Sequence, residues 1–321
     1  MMAVWLRAFG GPEVLAAAET DTPVAGPGQA LIEVHFVNVA FVETQLRSGR
    51  PGPYRLDLPV IPGNGVGGVV VSVGAGTDPA WVGQRVVAST GGSGGYAEAV
   101  AVGAEALIAV PEGLALDTAV TMLADGRTAV MLMETAGPVK GERVLVEAAA
   151  GGVGSLLVQL AKAAGASVVA AAGGTAKLAL ACDLGADVVV DYLSPGWTAP
   201  VRQAVGGLDV VFDGVGGAVA RSSFELLEPG GRMISFGLAS GGWADISEET
   251  AIDRGVTLLR PPRLAPAENR AFTEHALSEA AAGRLRPVIG QRFALARASE
   301  AHAAIEARTT QGRTLLELGL S

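Results

Sequence analysis

Cysteine is nearly absent from this chain: Cys182 is the only one. A disulfide within the chain and a cysteine-built zinc site are therefore excluded. Histidine is almost as scarce, and His35, His275 and His302 lie far apart without metal-ligand spacing. Charged residues make up only 17%, yet no apolar run reaches the roughly 18 residues of a membrane-spanning helix. The 23 basic side chains form no cluster and are outnumbered by 32 acidic ones, for a net charge of −9, which argues against a nucleic-acid footprint. The opening MMAVWLRAFGGPEVL has neither the basic flank nor the small-residue cleavage site of a signal peptide. The expectation is a soluble cytoplasmic protein with neither membrane nor nucleic acid as partner.

Glycine is plentiful, at 45 residues, and half of the 321 residues are hydrophobic. That length suits two domains with sizeable cores. Glycines outside low-complexity repeats mark tight turns between strands and helices. Residues 1–118 read as a β-rich domain: Ile32, Val34 and Phe36 alternate with Glu33, His35 and Val37, and short apolar runs follow at 69–73 and 85–87. Little helical periodicity is visible before about residue 116. Asp117 is placed to cap a helix over 119–124, and a second helix spans 128–134. From 143 onward, strands at 143–147, 167–172, 187–191, 209–212, 232–236 and 256–259 alternate with helical stretches such as 152–164 and 175–184. Such alternation implies βαβ units and a doubly wound parallel sheet, so residues 119–262 read as an α/β domain. Pro261-Pro262 marks its end. Residues 263–321 are expected to pack back on the first domain, as a helix over 266–282 and a strand–helix–strand tail.

The strongest local signal is VLVEAAAGGVGSLLVQLAK, from Val144 to Lys162. A strand runs into Ala149-Ala150-Gly151-Gly152-Val153-Gly154 and a helix leaves it. This is the dinucleotide-binding glycine pattern with Ala149 in the first glycine place. Gly151 admits a pyrophosphate, Gly154 lets the helix lie on the strand, and the helix N-terminus favours the negative charge. A bare glycine match also fits an ordinary packed turn; the strand before, the helix after and the further βα repeats favour the nucleotide. After the second strand stands Ala171-Ala172-Gly173-Gly174-Thr175, with no carboxylate to grip a free ribose 2′-hydroxyl. Lys177 follows, placed to meet a 2′-phosphate or to serve as an ordinary solvated helix residue.

With Gln159 after the AAAGGVG run, these residues resemble the zinc-independent quinone oxidoreductases of the medium-chain dehydrogenase/reductase superfamily. Phe9-Gly10-Gly11-Pro12-Glu13-Val14-Leu15, Gly94-Gly95-Tyr96-Ala97-Glu98, the Asp209–Gly217 segment and Pro229-Gly230-Gly231-Arg232 carry the resemblance along nearly the whole chain. It implies a GroES-like first domain, a Rossmann second domain, a cleft between them and hydride transfer from NADPH. It also implies a homodimer, to which the apolar 256–259 strand offers a sheet edge. By the same resemblance Thr128 contacts the nicotinamide side, and Gly151, Gly152, Val153 and Gly154 face the pyrophosphate. Gly173, Gly174, Lys177 and Tyr192 hold the 2′-phosphate, while Val215, Phe236 and Gly237 line the far side. Arg308 and Arg313 both fall where the family has basic cofactor contacts, and the resemblance does not choose between them.

The active-site segment departs from the family. Its usual Asn-x-x-Asp-x-Tyr-x-Arg-x-Gly here reads Ala40, Glu43, Gln45, Arg47 and Gly49, with Asn38 one pleat early. Ala40, Glu43 and Gln45 are the candidates for the substrate cleft, and no residue stands out as an obligatory acid. Asp125 reads as part of a turn between helices and Asp213 as structural. Gly91-Gly92-Ser93-Gly94-Gly95 matches the text of a hydrolase nucleophile but precedes a strand instead of a helix, so Ser93 reads as a loop residue. The expected activity is NADPH-dependent, metal-free reduction of a quinone. An enoyl or 2-alkenal reductase is the alternative on the same fold, and an NADPH-binding sensor without turnover is the alternative from another class.

Overall fold

The computed structural model describes residues 1–50 and 56–319. The chain divides into two compact units, residues 1–124 with 273–321, and residues 125–272. The first division falls inside a continuous helical run and the second inside the helix Pro266–Ala281, whereas the sequence suggested boundaries at 118 and 262.

The first unit is organised by the strand Gln29–Val39. It pairs antiparallel with Gly65–Val73 on one side, and with Arg313–Glu317 and Ala99–Gly103 along different stretches of the other. Arg85–Ser89, Leu107–Ala109 and Ile289–Ala294 complete a seven-stranded sheet. Alternation places Ala30, Ile32 and Val34 in the core and leaves Glu33 exposed. The strand Arg313–Glu317 comes from the end of the chain, so the tail is part of the first unit's sheet.

The helical content of this unit differs from expectation. A helix Phe41–Arg47 is present, and its buried residues are Glu43, Thr44 and Arg47. A seven-residue helix that buries polar side chains shows no apolar period, which is why it was invisible in the sequence. Asp117 does not cap the next helix. That helix begins at Leu116 with Ala115 as N-cap, and the Asp117 carboxylate accepts the Thr118 N–H and pairs with Arg292 at 2.5 Å. Asp125 does not lie in a connecting turn either: Leu116–Thr121, the π-helical Met122–Gly126 and Arg127–Ala136 follow one another without a break.

The second unit is a six-stranded, wholly parallel sheet. Its order is Val188–Asp191, Ser167–Ala172, Arg143–Glu147, Leu208–Asp213, Leu227–Ser235, Thr257–Leu259. Numbered along the chain, the order is 3-2-1-4-5-6, and the winding reverses between the strands that end at Glu147 and Asp213. In parallel sheets of this kind, ligands bind beyond the carboxyl ends at the reversal. The core is the aliphatic run expected of strands buried on both faces, including Leu145, Val169, Val211 and Met233. Thr257–Leu259 forms an outer edge.

Candidate functional site

Beyond Glu147 the chain makes the turn that the glycine pattern required. Ala148 takes a left-handed backbone (φ 48°), Gly151 N–H donates to Ala148 O at 2.8 Å, and the helix Gly152–Ala163 follows. The N-cap is Gly151, which brings no side chain to the N–H groups of the first turn. A Cβ on Gly154 would lie 2.2 Å from Ala148 O, so only glycine lets the helix sit this close to the strand. A Cβ on Gly152 would lie 2.2 Å from the Asp125 carboxylate. The result is a glycine-rich turn at a helix N-terminus, with the Asp125 carboxylate beside Gly152; such a terminus suits a pyrophosphate.

The next strand pair supplies the neighbouring pocket. Asp191 pairs with Ala172, and Tyr192 N–H reaches Ala172 O at 3.3 Å, which brings Tyr192 beside Gly173. A Cβ on Gly173 would come within 2.9 Å of Leu193 Cδ1 and 3.3 Å of Tyr192 Cε2. Gly174 has φ 89° and opens the helix Thr175–Asp183, and Lys177 lies half-buried in its first turn. On the other side of the reversal, Gly237 N–H donates to Asp213 O at 3.2 Å, Ser240 N–H to Val215 O at 2.8 Å, and Phe236 packs against Gly214. The structure therefore brings together Gly151–Gly154, Gly173, Gly174, Lys177 and Tyr192 on one side, and Val215, Phe236 and Gly237 on the other. Thr128 lies in the helix Arg127–Ala136 of the same unit. A dinucleotide fits this set: small residues where phosphates need approach, and a lysine in the first turn of the helix that follows the second strand.

The candidates in the first unit have a different character. Glu43 is 6% exposed, and its oxygens accept the Ala40 N–H (2.8 Å), the Asn64 N–H (3.1 Å) and the Tyr96 hydroxyl (3.0 Å). Since Tyr96 donates to Glu43, it accepts from His302 Nε2 at 2.9 Å. His302 is then the Nε2–H tautomer, and its buried Nδ1 has no partner. Burial, helped by the Arg47 charge, pushes the His302 pKa down to about 3, so it stays neutral. Burial raises the Glu43 carboxyl against the lowering effect of its hydrogen bonds, and raises the Tyr96 phenol well above its usual range. Arg47 is buried and pairs with Glu306. Arg313 donates to Val39 O, and burial lowers its pKa to about 10. Arg308 is exposed, with its guanidinium 4.3 Å from the Phe41 ring centre. Ala40 and Gln45 are half-buried at the two ends of this segment. Asn38, buried, donates to Val120 O at 3.2 Å. Sequence reasoning missed Tyr96, His302 and Glu147, which are buried polar groups whose partners lie 53 to 206 positions away.

Ser93 lies in a turn ahead of the strand Ala99–Gly103, with no helix after it. His275 is exposed on the helix Pro266–Ala281, and His35 is half-buried. Among the described residues no three His, Cys, Asp or Glu side chains are grouped to hold a metal ion, and no helix is long and apolar enough to cross a membrane.

Against this geometry stand the comparisons with known proteins. Residues 26–112 match the alcohol dehydrogenase GroES-like domain, and residues 152–277 match the zinc-binding dehydrogenase domain. The quinone oxidoreductase of Pseudomonas aeruginosa is 32% identical, with 98% of each chain covered. The chain belongs to the quinone oxidoreductase family of the medium-chain dehydrogenase/reductase superfamily. A 2-haloacrylate reductase from Burkholderia is 30% identical over 98% of both chains. The structure of Escherichia coli quinone oxidoreductase complexed with NADPH superposes with a TM-score of 0.90 at 28% identity, covering 99% of this chain and all of that one. The GroES-like and Rossmann expectations hold. The lone cysteine, Cys182, is exposed on the helix Thr175–Asp183.

The Glu43–Tyr96–His302 chain yields a pH-dependent test. In the fold the Glu43 proton is held more tightly than at the ordinary value of 4.5, so burying this carboxyl costs stability as pH rises through the window above 4.5. The Tyr96 hydrogen bond offsets part of that cost. Tyr96→Phe leaves Glu43 and His302 short of a partner and lowers stability by about 1–3 kcal/mol, with a larger loss at neutral pH than in acid. Urea unfolding of both proteins at the two pH values measures the difference; an equal loss at both contradicts the assignment.

Proposed function

We propose that this protein is a metal-free reductase that passes a hydride from NADPH to a quinone. The observation that carries the proposal is the glycine-rich turn and helix N-terminus at the winding reversal, next to Gly173, Gly174 and the half-buried Lys177. When bound, NADPH supplies the hydride. The backbone of Gly151 to Gly154 holds the pyrophosphate against the positive end of the Gly152–Ala163 helix. Gly173 and Gly174 leave room for the 2′-phosphate, Lys177 neutralises it, and the Tyr192 ring borders it. Val215, Phe236 and Gly237 support the opposite side of the cofactor, and Thr128 its nicotinamide end. Such a site works mainly by holding a reactive carbon near an electrophile and by excluding water. Glu43 has its oxygens engaged within its own unit, which favours a positioning role over proton donation. Ala40 and Gln45 remain the candidates that border the acceptor.

The same machinery suits an activated alkene, and the likeness to the Burkholderia 2-haloacrylate reductase favours that as the second reading. Gln45 stands where the family has a tyrosine, which removes one stacking surface and leaves room for less planar acceptors. The assay is NADPH oxidation with a panel of quinones and enones. Turnover of quinones supports the first reading, turnover of enones alone the second, and tight NADPH binding with no acceptor reduced points to a sensor. Gln45→Tyr is expected to shift the ranking toward flat quinones; an unchanged ranking removes Gln45 from the acceptor site.

Lys177→Ala is expected to raise the KM for NADPH by about ten- to a hundredfold, the value of one charge-assisted hydrogen bond, and to leave that for NADH nearly unchanged. Equal losses for both cofactors place the phosphate pocket elsewhere. The unpaired edge Thr257–Leu259 supports a homodimer built across that strand. Light scattering at micromolar concentration is expected to give twice the 32.2 kDa chain mass; a monomeric mass rules the dimer out.

A further inference from the structure

Two carboxyl groups meet at the floor of the winding reversal. Val146 pairs with Phe212 in the sheet, so Glu147 and Asp213 are the next residues in register on adjacent strands. Both are fully buried. The Val215 N–H sits between them, 3.1 Å from Asp213 Oδ1 and 3.2 Å from Glu147 Oε2. Asp213 Oδ1 also accepts the Gly216 N–H at 2.7 Å, and Glu147 Oε1 bonds the Ser223 hydroxyl at 2.6 Å. The fourth oxygen, Asp213 Oδ2, is buried and receives no N–H and no hydroxyl donor.

The cations on the same strand, the neighbouring strand and the following helix are engaged elsewhere. Arg143 and Arg232, on the same strand and a neighbouring one, are bound to Asp209 and Glu142. Arg221, on the helix Gly217–Phe224 that carries Ser223, is exposed and donates to Ala244 O. Two buried charges sharing one donor in a low dielectric repel strongly, and the usual outcome is that one proton stays. The orphaned Asp213 Oδ2 is the acceptor such a proton needs. We infer that Glu147 keeps its proton at neutral pH and donates it to Asp213, and that this acid–carboxylate pair is the clamp that shapes the Asp213–Gly217 turn beside the cofactor. The remaining negative charge draws the Val215 and Gly216 N–H groups inward. The turn then presents Val215, with Gly216 and Gly217 in left-handed conformations that other residues rarely adopt (φ 74° and 57°). Burial, followed by the Asp213 charge, raises the Glu147 pKa well above the ordinary carboxylate range, in keeping with this assignment. Glu147 and Asp213 act through the turn and are positioning residues.

The role in cofactor binding rests on the NADPH reading above; the shared proton does not. In alkaline solution the proton leaves to hydroxide, two charges face each other, and the turn is pushed open. NADPH affinity, read from nicotinamide fluorescence, is expected to fall with rising pH by up to about tenfold per unit. Glu147→Gln is a permanently neutral mimic, since its amide donates to Asp213 Oδ2 at any pH. In E147Q the affinity at neutral pH is retained and the alkaline fall is lost. Infrared spectra of the cofactor-free protein test the proton directly: wild type at neutral pH shows the carbonyl stretch of a protonated carboxylic acid, and E147Q lacks that contribution. Asp213→Asn, whose amide donates to Glu147 and lets it ionise, also removes it and serves where E147Q does not fold. Identical spectra for wild type and the folded variant overturn the shared proton. A lost band with an alkaline fall in affinity that persists unchanged in E147Q overturns the clamp. Absence of NADPH binding by the wild type at any pH overturns the clamp together with the cofactor reading, and the spectra still decide the proton.

Discussion

The approach of the Gly152–Ala163 helix to the strand before it is the constraint on which the second unit depends. The gap between Ala148 O and the helix backbone admits no Cβ at residue 154. That closeness points the helix's N-terminal turn at the carboxyl edge of the sheet, where the two central strands separate. The left-handed Ala148, the bare N-cap at Gly151 and the Asp125 carboxylate beside Gly152 all follow from it. A phosphate cradle of this kind is made mainly of backbone N–H groups, and glycine keeps them open to approach.

The two units solve burial in different ways. The parallel sheet is almost wholly aliphatic, with buried exceptions at the ends of two central strands, where Glu147 and Asp213 are bonded to the Val215–Gly216 turn and to Ser223. The first unit instead carries a polar chain through its interior, from Ala40 and Asn64 through Glu43 and Tyr96 to His302. Polar groups buried this deeply destabilise a fold unless they are paired. Here the pairing ties four distant stretches of sequence together, around Glu43, Asn64, Tyr96 and His302.

The glycine cradle and the alternating strands of residues 143–259 were readable in advance because their signals are local. Period, turn residues and helix start follow one another within a dozen positions. The missing carboxylate after Ala172 was readable for the same reason. Glu43 was readable as a position but not as a role: the sequence shows an acid in the right register, and nothing in it shows that Ala40, Asn64 and Tyr96 engage its oxygens. The Phe41–Arg47 helix escaped notice because its buried side chains are polar and leave no apolar stripe; of the run through Asp125, whose flanking helices were legible, only the π-helical joint at Met122–Gly126 was not.

By itself, the sequence determined the βαβ alternation, the cradle at Gly151 to Gly154 and the want of metal-ligating sulfur, since each depends on residue type or on neighbours a few positions apart. Only the tertiary structure decided that Glu147 meets Asp213, that Tyr96 joins Glu43 to His302, and that the strand Arg313–Glu317 closes against Gln29–Val39. Those contacts are made across sheet register and long loops, where the distance along the chain carries no information about the distance in space.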